Sequence, residues 1–175
     1  MSEINKFTLL PEDLYKSITK SIPIVCVDIL PVKKVRGVWQ IGVIKRSTGK
    51  ESGKLAILGG RIALRESIVD SIKRHLLKDL RVSNFIFYKT NTDSNPFYVQ
   101  QYFMGSDSSK PYGFDPTKHA IALTYLVTIN DTPIPENEAS EFRWITKQEI
   151  PKKPAFNQDT LMEEVFKHLG SIEQY

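Results

Sequence analysis

The 175-residue sequence predicts a mixed α+β fold: a mixed β-sheet sandwiched between helices, in a single domain spanning residues 1–175. Two runs rich in β-branched residues near the start read as strands. One internal and one terminal segment each gather apolar residues on one helical face. Further strand-like runs fall between these two helices and do not alternate regularly with them, which argues against a βαβ array.

Pro11, Glu12 and Asp13 open a short helix running through Tyr15 and Ile18. Residues 21–30 and 38–45 follow as strands, joined by a turn over 33–37. A shorter strand at 54–58 runs into Gly59 and Gly60, where missing side chains permit unusual backbone angles and let a ligand approach the main chain. In the next segment Ile68, Ile72, Leu76 and Leu80 recur every fourth residue, with Ser67 and Asp70 spaced as an N-terminal cap. Strands are expected at 85–89, 98–103, 120–129 and 141–144, and the segment 105–116 between two of them is long enough to be a working loop. Residues 156–169 close the chain as an amphipathic helix carrying Leu161, Val165, Phe166 and Leu169.

Composition narrows the function. The 24 basic residues are dispersed among 20 acidic ones for a net charge of +4, which suits a small anionic ligand better than nucleic acid. Trp39, Tyr98 and Tyr102 are scattered through strand segments, as core aromatics are. The lone Cys26 lies in an apolar run and has no partner for an intramolecular disulfide, so a reducing, cytoplasmic setting is expected. No apolar stretch reaches the length of a membrane span, and neither a signal peptide nor a membrane anchor is expected.

Asp79 is the first chemically informative position. On the wheel of the internal helix it falls between Ile72 and Leu76, beside the apolar stripe. An ionised acid there requires a salt bridge, hydrogen bonds, protonation or a bound cation, unless the last turn frays and the carboxylate points to water.

Spacing adds a further clue. Gly60, Glu66, Arg74, Leu76, Asp79 and Val82 follow the pattern Gly, five residues, Glu, seven residues, Arg-Glu-aliphatic-any-Glu-Glu-any-Gly-aliphatic, with His75 and Lys78 where glutamates belong, Asp79 for the last glutamate and Arg81 for the glycine. The segment resembles a degenerate Nudix box. From about residue 10 to 150 the chain is most similar to one subfamily with comparable losses, the GDP-mannose mannosyl hydrolases. Residues 21–28 resemble that subfamily's first core strand, the span from Lys45 and Arg46 to Gly59, Gly60 and Arg61 keeps its spacing, and residues 135–144 resemble its late loop and aromatic-Arg-Trp strand.

The resemblance implies a magnesium-dependent hydrolase of a nucleotide sugar that releases nucleoside diphosphate and sugar. It implies one magnesium ion, replaceable by manganese, on the Gly59 carbonyl, Asp79 and Glu138. Hard oxygen donors of this kind suit magnesium. Arg46, Arg61 and Arg74 match basic positions that neutralise the diphosphate leaving group, and Arg74 also braces the loop through Glu66. Asp28 matches a substrate-side acid. The subfamily's histidine base falls on Gln100 and Gln101, so Gln101 is assigned to substrate binding and the base is unassigned; His119, after the long loop, is the remaining candidate. A homodimer is implied as well. Two alternatives stand beside this reading: a pyrophosphohydrolase attacking phosphorus in a nucleoside diphosphate derivative, and a nucleotide-sugar binding module without turnover.

Overall fold

A computed structural model describes residues 9–89, 91–105 and 112–171. Strand β1 (Ile24–Val35) is its hub, because a long run of β-branched residues pairs on both sides. Its first part lies parallel to β8 (Ala120–Ile129), with Ile24 opposite Ala120 and Pro31 opposite Val127. The other side of that part pairs antiparallel with β4 (Leu58–Arg61), and the second part of β1 pairs with β2 (Val38–Arg46). β3 (Leu55–Ala56) and β9 (Ala139–Ile145) flank β2, while β5 (Phe85–Phe87) and β6 (Tyr98–Phe103) pair with β8, and β7 (Gly113–Phe114) extends the sheet beyond β6.

The β1–β2 turn is tighter than the sequence suggested. Only Arg36 and Gly37 make it, at φ 49° and 81°, so β1 continues to Val35. Two consecutive left-handed residues match the twist of antiparallel strands and allow this two-residue connection. The strand expected at 54–58 is instead broken into β3 and β4, and the glycine pair lies within β4 instead of following it.

Helices cover both faces of the sheet, as the α+β reading requires. From α2 (Ile68–Leu80), Ile72, Leu76 and Leu80 pack with Val27 and Ile29 of β1 and Tyr125 and Val127 of β8. From α3 (Asp159–Ser171), Leu161, Met162, Val165, Phe166 and Leu169 pack with Leu30 and Val32 of β1 and Ile41 and Val43 of β2. The period-two alternation of side chains along a strand sends residues 27 and 29 to one layer and 30 and 32 to the other. The terminal helix begins later than expected because Phe156 and Asn157 sit at φ 58° and 55°, outside helical geometry. Helix α1 (Glu12–Thr19) buries no residue of its own fully.

Ser67 caps α2 as expected, its Oγ accepting the Asp70 N–H at 3.1 Å. The helix ends at Arg81, which adopts φ 53° where glycine is usual. Residues 106–111 of the expected working loop lie outside the described residues. Among those described, no helix is long and apolar enough to cross a membrane.

Candidate active site

A cavity of about 480 Å³ opens beside the first half of β1. Small side chains leave it room: Cys26 lies opposite Ala122 in the β1–β8 register, and Ala120 follows at the same wall. Asp28 points into it from β1, Arg46 from the end of β2, Arg61 from β4 and Tyr102 from β6, while Glu138 comes from the loop before β9.

Asp28 forms part of a buried polar chain. The Tyr102 hydroxyl donates to its Oδ2 at 2.6 Å, Gln158 Nε2 donates to that hydroxyl at 3.0 Å, and the Ile57 N–H donates to Gln158 Oε1 at 2.9 Å. Burial pushes the Asp28 carboxyl up to about 6, against the lowering influence of the Tyr102 hydroxyl and the Lys118 charge. Burial and the neighbouring Asp28 also hold the Tyr102 phenol well above its ordinary value, so it acts as a hydrogen-bond donor.

Gln101 does not take the position expected for it. In β6 the cavity-facing residue is Tyr102, opposite Ala120, and strand alternation turns Gln101, opposite Ile121, to the other face. Gln100 is buried on the Tyr102 face, with its Nε2 donating to the Gln101 carbonyl at 3.1 Å. His119 also stays apart from the cavity wall, its ring stacked on Phe103 with centroids 4.7 Å apart.

The two glycines are required by close approach. A Cβ on Gly59 would stand 2.1 Å from the Val27 carbonyl oxygen and 2.9 Å from Asp28 Oδ1. On Gly60 it would meet His75 Cε1 at 2.6 Å, so the buried imidazole occupies that space. Among the described residues β4 pairs with no strand but β1, and Gly59, Gly60 and Arg61 line the cavity.

The three expected arginines all reach the cavity wall, in different circumstances. Arg61 lies over the ring of Tyr15 of α1, its guanidinium carbon 3.8 Å from the ring centroid. Arg46 rests 5.0 Å from the Phe156 ring centroid, and its buried Nε has no hydrogen-bond partner among the described residues. Arg74 is a brace: Nε donates to Glu66 Oε1 at 2.6 Å, and Nη2 donates to Glu66 Oε2 at 2.8 Å and to the Arg61 carbonyl at 2.9 Å. Burial would raise the Glu66 carboxyl, but the Arg74 guanidinium and the Ala63 N–H hold it below the usual carboxylate range. Lys118, a further cation at the wall, is committed to Asp115 at 2.6 Å.

The end of α2 settles where Asp79 points. It is buried, 1 % exposed, and the 134–138 loop docks on it. Ile134 N–H donates to the Leu80 carbonyl at 2.8 Å, Glu136 N–H to the Asp79 carbonyl at 2.9 Å, and Glu138 N–H to Asp79 Oδ1 at 3.4 Å. Asp79 and Glu138 are thus neighbours. Between them stands Lys78, whose Nζ is 3.9 Å from Asp79 Oδ1 and 3.8 Å from Glu138 Oε1. The other Asp79 oxygen lies 3.7 Å from Nδ1 of His75, and Glu138 Oε2 lies 3.6 Å from Arg46 Nη1.

This donor set does not fit the expected magnesium ion. Among the described residues no third His, Cys, Asp or Glu side chain joins Asp79 and Glu138, so the side-chain ligands of the expected ion would be these two carboxylates alone. Magnesium is commonly held by one or two carboxylates beside waters and phosphate oxygens, whereas here both carboxylates already face the Lys78 ammonium group, 3.9 and 3.8 Å away. The sequence showed Lys78 as a departure from the box, but only the folded chain brings its charge to these two acids.

Residues 6–169 match a family model described as a domain of unknown function, DUF4916. The chain belongs to this family. The DUF4916 chain is also similar to a structure described as a possible asymmetric diadenosine tetraphosphate hydrolase from Jonesia denitrificans: 26% identity over 86% of this chain and 96% of that one, with a TM-score of 0.70. It resembles the NUDIX domain of Shewanella oneidensis NrtR complexed with ADP ribose, at 18% identity, 91% and 99% coverage and a TM-score of 0.59. A NUDIX hydrolase from Nitrosomonas europaea matches at 16% identity, 85% and 73% coverage and a TM-score of 0.61. This DUF4916 member therefore has the Nudix hydrolase fold. Comparison with curated proteins gives no match.

Proposed function

We propose that this single domain is a hydrolase acting on a nucleoside diphosphate joined to a second group, a nucleotide sugar being the leading substrate. The observation that carries the reading is one cavity holding Arg46, Arg61 and Lys78 at its wall and the buried acid Asp28 within it. Guanidinium forks suit diphosphate oxygens in geometry and permanent charge. The likeness to structures described as an ADP-ribose complex and as a possible dinucleoside tetraphosphate hydrolase supports a substrate of this class.

Asp28 fills the role that sequence left without a residue. Its Oδ2 is held by Tyr102, and burial pushes the carboxyl up to about 6. A base in that range, once ionised, can accept a proton from attacking water. In the sugar reading the water oxygen bonds to the anomeric carbon, the carbon–oxygen bond to the diphosphate breaks, and the proton passes to Asp28. The developing charge on the leaving diphosphate falls to Arg46, Arg61 and Lys78. Arg74 and Glu66 position β4 and do not contact substrate in this reading. Magnesium on Gly59, Asp79 and Glu138, the subfamily arrangement, forms no part of it, because the two acids are engaged by Lys78.

The second reading, attack at phosphorus, is favoured by the likeness to the Jonesia denitrificans protein. A panel of nucleotide sugars, ADP-ribose and dinucleoside polyphosphates in oxygen-18 water tests both. Label in the sugar supports attack at carbon, and label in a phosphate supports attack at phosphorus. Tight binding with no turnover of any member would overturn hydrolysis in favour of a binding module.

A further inference from the structure

We infer that Lys78 is a built-in cation that takes the place of a divalent metal at the α2 end of the cavity, so that the diphosphate of the ligand is held without a metal ion. The inference rests on the proposed function only for the ligand being a diphosphate.

The geometry is that of a cation site. Two carboxylates from separate elements, Asp79 on α2 and Glu138 on the 134–138 loop, are drawn together by backbone hydrogen bonds across the helix end. Repulsion between two such acids must be balanced when one of them is buried. Lys78 Nζ supplies the balance at 3.9 Å and 3.8 Å, with Arg46 Nη1 at 3.6 Å from Glu138. The lysine is tethered covalently beside Asp79, so its charge is present at every metal concentration.

Glu138 then has a role opposite to that of a ligand. Asp79 is sealed, but the Glu138 side chain is 40% exposed and touches both Arg46 and Lys78. It lies 3.6 and 3.8 Å from the Arg46 and Lys78 nitrogens that a phosphate would use. An arriving diphosphate displaces it and takes the Lys78 ammonium and Arg46 guanidinium together, one as a compact point charge and the other as a fork. Glu138 is thus a competitor for anion binding, whereas a metal ligand in its place would assist it.

Manganese alone is titrated against the wild-type chain and Lys78→Ala, followed by the spin-resonance signal of free ion, and ADP and GDP are titrated in chelator against the wild type and Glu138→Gln. The wild type is expected to hold no stoichiometric manganese at millimolar concentration, and Lys78→Ala to bind it at least roughly tenfold more tightly. ADP or GDP is expected to bind in chelator, with Glu138→Gln tightening it several-fold. Stoichiometric manganese on the wild type, unchanged in Lys78→Ala, would overturn the inference. So would nucleotide binding that chelator abolishes or that Glu138→Gln weakens. Lys78→Gln repeats the metal arm with the side-chain length kept. If neither nucleotide binds with or without metal, the diphosphate reading fails, and the manganese titrations still decide the identity of the cation.

Discussion

The phenol of Tyr102 donates a 2.6 Å hydrogen bond to Oδ2 of Asp28, joining β6 to β1 across the cavity. The bond fixes one carboxylate oxygen and leaves Oδ1 on the side of Gly59. It also stabilises the ionised carboxylate against the burial that opposes it.

Hydrolysis should therefore follow a single acid limb. The rate constant kcat/KM is expected to rise with pH through about 6, as Asp28 ionises. Asp28→Asn should lower it by roughly 10²–10⁴ and remove the limb. Tyr102→Phe should move the limb to higher pH, because it removes the hydrogen bond that favours the ionised form. A wild-type limb that Tyr102→Phe leaves unmoved would sink the assignment.

Stability should carry the same signature. The Asp28 carboxyl titrates near 3.8 in an unperturbed chain and about 6 when folded. Between these values the unfolded chain has released the proton and the folded chain keeps it, so this contribution to stability falls as pH rises and is level above the folded value. Relative to Asp28→Asn, the wild type should lose about 1–3 kcal/mol across that window. Urea titrations of both proteins at several pH values measure the difference.

Gly60→Ala should destabilise the fold by about 1–3 kcal/mol, since its Cβ would meet His75 Cε1 at 2.6 Å. In the double variant with His75→Ala much of that cost should disappear. Additive effects in the double-mutant cycle would show that the ring does not set the requirement for glycine.

Arg81→Gly should stabilise the protein by about 0.5–1 kcal/mol. Glycine relieves the left-handed φ of 53° at the end of α2, and the exposed pair with Glu136 that would be lost contributes little. Thermal unfolding would register this as a higher midpoint.

Periodicity made most of the fold legible before any coordinates. The apolar repeat of α2, its Ser67 cap, and strands β6 and β8 follow from local pattern alone. The break between β3 and β4 did not, because there the chain passes from pairing with β2 to pairing with β1, and the Ile57 N–H between them goes to Gln158, distant in sequence. At the site, sequence pointed to Asp79 by spacing and to Glu138 by family resemblance, and the fold makes them neighbours. It missed Tyr102 by one residue, and that single step turns a side chain to the opposite face of a strand. It also missed Gln158, whose bond to Tyr102 arises only when the chain end returns to β6. The surroundings of Lys78 were hidden for a similar reason, since only the docked loop brings Glu138 within 3.8 Å of this half-exposed lysine.

The parallel pairing of β1 with β8 joins residues 24–31 to 120–127, 96 positions apart in the chain. Contacts of such long range cannot reward the closing of the intervening loop until late in folding. A nascent chain that has delivered Asp28, Arg46 and both glycines still has no floor beneath them until β8 emerges, and Gln158 comes later still. Newly made chains should thus spend their synthesis time unable to engage ligand, with β1 as an exposed apolar edge in need of protection from other chains.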